Sequence, residues 1–108
     1  MNKRKQLQYE ERARIIKAMA HPTRLFIVEE LSQDKRSVGE LTEMIGADTS
    51  TVSKHLSVLK NAGIISDEKR GLQVYYSLRV PCILNFFECV ESVLKSNAKS
   101  KMELLKKV

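Results

Sequence analysis

The sequence predicts a mainly α-helical domain that contains one small β-hairpin. A length of 108 residues with 43% hydrophobic content is enough for one compact domain with a single modest core. Only four glycines and two prolines interrupt the chain, and 30% of the residues are charged, which is typical of a folded, helix-rich protein. Apolar residues recur at three- and four-residue spacing along most of the chain, and they alternate in only one stretch.

The N-terminal part predicts two helices separated by a proline. From Tyr9 to about Ala20 the apolar positions have the spacing of an amphipathic helix. Pro22 interrupts this helix and opens a second one, because proline is tolerated in the first turn. The second apolar stripe ends near Ser32, and residues 33–36 form a polar connection.

Two further helices follow, joined by a short turn. Ser37 and Glu40 have the spacing of a capping box, which opens the third helix, and Gly46 ends it. The fourth helix runs from Thr49 to about Ala62, and Gly63 ends it. At about 100° per residue, its apolar face lies opposite a polar face that is free of acids. The apolar positions are Val52, Leu56 and Leu59, and the polar positions are Ser50, Lys54, Ser57 and Asn61.

Residues 64–79 predict a two-stranded hairpin, with a tight basic turn at Lys69-Arg70-Gly71 and alternating apolar positions after it. Pro81 then marks the start of a last helix, at about residues 81–107. The apolar surface of this helix is wider than one small domain can cover. Such a surface typically marks an interface.

This order of elements is that of a winged helix-turn-helix, with the helix-turn-helix at about 37–62 and the wing at about 64–79. The fourth helix offers short polar side chains that can enter a major groove and donate to bases and phosphates. The candidate DNA-binding residues are Thr49, Ser50, Thr51, Ser53, Lys54, His55, Ser57 and Lys60 on this helix, with Lys69 and Arg70 at the wing tip. The alternative is that the apolar stripes of these helices belong to an ordinary three-helix domain. In that case the Ser and Thr residues at the start of the fourth helix only cap it.

Three separated stretches, residues 18–25, 52–65 and 71–78, resemble the ArsR/SmtB family of winged-helix repressors. The resemblance covers nearly all of residues 10–95. It implies a homodimer joined through its first and last helices, bound to an imperfect palindrome in double-stranded DNA and usually released by an inducer. It also implies that His21 is structural and that His55 is a boundary residue or phosphate contact rather than a metal ligand.

Cys82 and Cys89 are the candidate inducer, redox or metal-binding residues. One arsenic site of the family is absent, because the chain has Ser37-Val38-Gly39 where a Cys-Val-Cys set would stand. At the positions of the family's zinc ligands, only Cys82 of this chain could bind a metal ion. The pair is instead similar to a third arrangement, in which cysteines at the start of the last helix sense arsenite, with Ile83 in place of an adjacent cysteine. Arsenite or another thiophilic metal ion is therefore a candidate inducer, and an oxidant or reactive sulfur is the other; no other cofactor is expected.

The spacing of the two cysteines limits how they can react. Seven residues of continuous helix separate Cα atoms by about 10.5 Å, whereas a disulfide needs about 4.4–6.8 Å. Pairing requires that Cys82 lie before the first full turn, or that antiparallel last helices bring Cys82 of one chain near Cys89 of the other. We expect Cys82, at a helix N-terminus near Arg79, to be the more reactive thiol. The alternative is that both are small apolar residues of a dimer core.

The net charge of +6 is concentrated at the ends, since residues 1–17 and 95–108 each carry +4. This distribution fits either nucleic-acid contact or solvated helix faces. No apolar run could span a bilayer and no signal peptide is recognisable, so we expect a cytoplasmic protein without a membrane partner.

Catalytic motifs are not recognisable at a workable spacing, so an enzyme is not expected. Two alternatives to an inducible repressor stay open. One is a DNA-binding regulator without a thiol or metal inducer, and the other is a winged helix that binds a protein.

Overall fold

A computed structural model describes residues 1–106 and confirms the mainly helical, winged helix-turn-helix order. The elements are α1 (Lys3–Met19), α2 (Pro22–Gln33), β1 (Arg36–Ser37), α3 (Val38–Ile45), α4 (Thr49–Asn61), β2 (Ile65–Arg70), β3 (Gln73–Leu78) and α5 (Ile83–Lys106). The expected end of the last helix at residue 107 lies outside the described residues. Within residues 1–106, each helix is too short or too polar to cross a membrane.

Both terminal helices begin at positions other than those expected. Helix α1 starts at Lys3 instead of Tyr9, because Asn2 caps it by accepting a hydrogen bond from the Lys5 amide at 2.8 Å. These first turns are polar and exposed, so apolar periodicity could not reveal them. Helix α5 starts at Ile83 instead of about residue 81, because Pro81 and Cys82 form a turn.

The expected two-stranded hairpin is a three-stranded antiparallel sheet in the order β1-β3-β2. Strand β1 pairs Arg36 with Tyr76 and Ser37 with Tyr75. A two-residue strand has no alternation that sequence analysis could detect. Its pairing attaches the start of α3 to the wing.

The core lies where α2, α3 and α4 meet the first two residues of the wing. Its fully buried side chains come from all four elements, and they are Ile27, Val28, Leu41, Val52, Leu56, Leu59, Ile64 and Ile65. Close packing of such side chains leaves little freedom for one helix to rotate against its neighbours. The orientation of α4 relative to the wing is therefore fixed by the core.

Helix α5 contributes no buried residue to this core in the described chain. Its Phe86 and Val90 line an apolar groove of about 320 Å³, together with Ile16 of α1 and Leu25 of α2. Further along α5, large apolar side chains are more than half exposed: Val93, Leu94, Met102, Leu104 and Leu105. Exposed large apolar side chains gathered along one helix in this way are typical of an interface between chains.

Candidate nucleic-acid interface

The start of α4 is held by Asp48. Its Oδ1 accepts hydrogen bonds from the Thr51 amide at 2.8 Å and from the Ser50 hydroxyl at 2.7 Å. These bonds stabilise the carboxylate and hold the pKa of Asp48 at about 2, well below the usual 3.8. Thr49, Ser50 and Thr51 are all exposed at this end of the helix. The first turn of α4 therefore presents exposed polar side chains on a backbone that the Asp48 cap holds in place.

The two faces of α4 separate as the sequence predicts. Val52, Leu56 and Leu59 are at most 1% exposed and anchor the helix in the core. The opposite face carries exposed polar side chains at Ser50, Lys54, Ser57 and Asn61. An α-helix docked through such a face fits the major groove of B-form DNA, which is about 12 Å wide.

The end of α4 is joined to the wing by a left-handed glycine. Gly63 has φ of 81°, its amide bonds the Lys60 carbonyl at 2.9 Å, and the Ile64 amide bonds the Leu59 carbonyl at 3.0 Å. This pair of bonds is the Schellman motif, which satisfies the last carbonyls of a helix. Arg79, which sequence analysis named only as a neighbour of Cys82, donates from Nη1 to the Gly63 carbonyl at 3.2 Å. It lies 16 residues away, so no local pattern could have identified it.

The cations of the interface differ in their partners. Lys60 Nζ lies 2.8 Å from Oδ2 of Asp67 on β2, and this hydrogen bond raises the pKa of Lys60. Lys60 therefore fastens α4 to the wing as well as facing the candidate surface. By contrast, Lys54 and Lys69 are exposed and form no ion pair within residues 1–106.

The wing tip carries basic and apolar side chains together. Strand β2 ends at Arg70, whose Nη2 lies 3.4 Å from Glu68 Oε2 and whose guanidinium is 6.0 Å from the ring centre of Tyr75. The turn then places Leu72 fully in solvent. Lys69 and Arg70 thus share the exposed end of the hairpin.

Two predicted site residues are only half-exposed. Ser53 lies on the flank of α4, and His55 lies on the opposite flank against the ring of His21. Burial lowers the pKa of His55, and the nearby His21 and Arg24 lower it further. The remaining candidates on α4 and the wing are exposed: Thr49, Ser50, Thr51, Lys54, Ser57, Lys60, Lys69 and Arg70.

The two cysteines belong to another part of the chain, one just before α5 and the other within it. Both are free thiols and both are exposed. Cys82 precedes the helix, in a turn where the Ile83 amide bonds the Val80 carbonyl at 3.1 Å and the Asn85 amide bonds the Cys82 carbonyl at 3.1 Å. Cys89 lies further along the helix, about 9 Å from Ile83 at 1.5 Å per residue. In residues 1–106, no group of three or more His, Cys, Asp or Glu side chains could hold a metal ion.

Known proteins share this arrangement. Residues 21–67 match the family model described as bacterial regulatory protein, arsR family. The chain is similar to the helix-turn-helix-type transcriptional regulator Rv0081 of Mycobacterium tuberculosis, with 33% identity over 98 residues, covering 90% of this chain and 86% of that protein. A crystal structure of Rv0081 has a TM-score of 0.77 at 32% identity and covers 88% of this chain and 96% of that chain.

Two further similarities concern assembly and regulation. The winged helix-turn-helix domain of Mb0332 from Mycobacterium bovis, described as homodimeric, has a TM-score of 0.77 at 27% identity and covers 93% of each chain. The biofilm growth-associated repressor of Xylella fastidiosa is 38% identical over 68 residues, which is 63% of this chain and 60% of that protein.

Proposed function

Because the chain belongs to the ArsR/SmtB family of winged helix-turn-helix regulators, we propose that it is a homodimeric repressor that binds an imperfect palindrome in double-stranded DNA and is released when Cys82 and Cys89 react. The family is a class of transcription regulators and not of enzymes. The observation that carries the DNA-binding part is the outer face of α4, which is polar, free of acids and anchored from behind by fully buried side chains.

Recognition would use two kinds of contact. Ser50, Lys54 and Ser57 face outward from α4 and can reach base edges and phosphates in a major groove. Lys69 and Arg70 at the wing tip can reach the adjacent backbone or minor groove. Lys60 is paired with Asp67, so its first role in this proposal is to fix the wing against α4.

Dimerisation would supply the second recognition helix. The apolar surface of α5 and its groove with α1 and α2 offer a large area for a second copy of this chain. A twofold dimer presents two α4 helices to half-sites about one helical turn, or about 34 Å, apart. This symmetry is the reason to expect a palindromic site.

The thiol signal would act on this same interface. Cys82 lies in a turn held by backbone hydrogen bonds between residues three positions apart. Cys89 lies next to Val90, which lines the apolar groove. Peroxide would oxidise the two thiols to one disulfide, with release of two waters. Within one chain this bond requires the first turns of α5 to open, and between antiparallel α5 helices it requires the interface to shift. Either movement changes the spacing of the two recognition helices.

Arsenite is the other candidate inducer. Arsenite would exchange two of its hydroxyls for the sulfurs of Cys82 and Cys89, with release of two waters. The arsenic atom bound by both sulfurs would draw the two residues together and strain α5 in the same way. Both thiols are exposed in the single chain.

Fluorescence anisotropy tests the DNA-binding part. The probe is a labelled duplex enriched from a random library by the wild-type protein. We expect Lys54→Ala and Lys69→Ala to weaken binding, and each lost phosphate contact to reduce the salt slope by about 0.9. Lys99→Ala removes the same charge from an exposed site on α5 and serves as the control. Affinities equal to the control would favour the alternative of a protein-binding winged helix.

The same assay tests the thiol part. We expect arsenite or peroxide to release the wild-type protein from DNA, and the Cys82→Ser, Cys89→Ser double variant to stay bound. A double variant that is released like the wild type would remove the cysteines from the mechanism. A wild-type protein that ignores both reagents would favour a regulator without a thiol inducer.

A further inference from the structure

A small basic cleft lies between α1, α2 and the C-terminal half of α4. It has a volume of about 350 Å³ and is lined by Arg14 and Lys17 from α1, Arg24 from α2, and Val58 and Asn61 from α4. Of the residues placed on the outer face of α4 above, only Asn61 also lines this cleft. Three cations from two different helices thus meet beside the candidate recognition helix.

The charges of this cleft are incompletely compensated. Among residues 1–106, no acidic side chain lines it. Arg24 is half-buried, and its Nε is buried without a hydrogen-bond partner in this part of the chain. Three cations without an acidic neighbour in its lining give the cleft a positive potential, which is suited to an anion.

Arg14 and Lys17 are the exposed cations of the cleft. Arg14 bonds Glu11 through Nη2 at 3.0 Å and Nε at 3.2 Å, but both side chains are largely exposed. Exposed pairs of this kind contribute little, so Arg14 can exchange Glu11 for a phosphate. Lys17 forms no ion pair within the described residues.

The cleft and the wing lie on opposite flanks of α4. Lys60 contacts the wing, whereas Val58 faces the cleft, and at about 100° per residue these two side chains are about 160° apart. A helix in the major groove has one phosphate backbone along each flank. The wing would follow one backbone, and the cleft faces the position of the other.

We propose that the cleft formed by Arg14, Lys17 and Arg24 binds a phosphate group of the DNA backbone on the flank of α4 opposite the wing. The proposal rests on DNA binding by α4. Arginine suits this role because its planar guanidinium can donate two parallel hydrogen bonds to phosphate oxygens.

A pair of double variants tests the proposal by fluorescence anisotropy with the library-selected duplex. Arg14→Gln with Lys17→Gln removes the two exposed cations of the cleft. Lys5→Gln with Arg12→Gln removes the same charge from other faces of α1 and is the matched control. We expect the cleft variant to bind roughly tenfold or more weakly, with a salt slope reduced by about 0.9 for each lost phosphate. Equal effects of the two variants would overturn the proposal.

A methylphosphonate scan of the same duplex locates the contact. Replacing the phosphate that occupies the cleft should weaken wild-type binding and should have little further effect on the cleft variant. Arg24→Lys keeps the charge but loses the planar donors. In this variant, the same methylphosphonate should weaken DNA binding less than it does in the wild type. If every methylphosphonate weakened the cleft variant as much as it weakens the wild type, the cleft would not bind the DNA backbone.

Further comparisons distinguish failure of this proposal from failure of DNA binding itself. They also distinguish a phosphate of the DNA backbone from a free anion. Loss of affinity in Lys54→Ala without loss in the cleft variant would refute the cleft and leave DNA binding intact. Failure of the library to yield a duplex would refute DNA binding itself. Titration with inorganic phosphate that detects binding to the cleft, together with unchanged DNA affinity of the cleft variant, would assign the site to a small anion and refute the backbone contact.

Discussion

The imidazole rings of His21 and His55 lie against each other, with ring centres 4.4 Å apart and planes inclined at 42°. His21 caps α2, since its Nδ1 accepts a hydrogen bond from the Thr23 amide at 3.1 Å. His55 lies in the middle of α4, so this contact joins the start of α2 to the candidate recognition helix. Burial first, then His21 and Arg24, lower the pKa of His55 below its ordinary value of 6.5.

This contact predicts that the fold loses stability in mild acid. A histidine with a lowered pKa in the folded state contributes stability that is present in full above pH 6.5 and is lost as the pH falls below 6.5 towards the folded-state value. Thermal unfolding of the wild type should therefore occur at a lower temperature at about pH 5.5 than at about pH 7.5. His55→Gln, which cannot titrate, should reduce this difference. An equally large difference in the variant would assign the pH dependence to other groups.

Asp48 predicts a second, more acidic transition. Its hydrogen bonds to Ser50 and Thr51 lower its pKa from 3.8 to about 2, so its capping contribution is present in full above pH 3.8 and is lost as the pH falls towards 2. Asp48→Ala should lower the thermal midpoint at about pH 7, because it removes the N-cap of α4. Asp48→Asn should retain the cap and show a smaller decline between about pH 4 and about pH 2. Neither replacement titrates, so the two variants should differ by a similar margin at every pH, and identical midpoints at about pH 7 would contradict the capping role.

Gly63 predicts a strong and position-specific response to alanine. Its φ of 81° is unfavourable for any side chain, and an added Cβ would lie 3.4 Å from Nη1 of Arg79. Gly63→Ala should destabilise the protein by roughly 1–2 kcal/mol in urea denaturation. Gly39→Ala is the control, because Gly39 is helical and its added Cβ meets only Ser37 Oγ at 3.8 Å. It should stabilise the protein by about 0.4–1 kcal/mol. Similar losses in both variants would argue against a special conformation at Gly63.

The exposed apolar face of α5 predicts how the dimer can be broken. Val93 is 57% exposed in the single chain and lies on this face. Val93→Glu should place a charge in the interface and shift the protein towards its 12.4 kDa monomer in sedimentation equilibrium. Ser92→Glu adds the same charge at an exposed position about 160° around the helix from both Val90 and Leu94 and should leave the dimer intact. A dimeric Val93→Glu protein would place the interface elsewhere.

Local patterns determined most of the elements of this protein. Three- and four-residue spacing identified α2, α3, α4 and α5, because the contacts that form a helix join residues this close in sequence. The capping box was predicted from two residues and is present with both bonds, from the Ser37 amide to Glu40 at 3.0 Å and from the Glu40 amide to Ser37 at 3.1 Å. The buried face of α4 could be predicted in the same way, because its buried residues recur with the period of the helix.

Only the tertiary structure decided how these elements combine into a surface. It pairs Lys60 with Asp67, packs His55 against His21, and adds β1 to the wing, although the residues in these contacts lie between 7 and 40 positions apart. It also gathers Arg14, Lys17 and Arg24 around one cleft, where the sequence shows only scattered charges in two amphipathic helices. The physical reason is that the period of a helix specifies which side chains share a face. The neighbour that the face meets depends on how the whole chain packs.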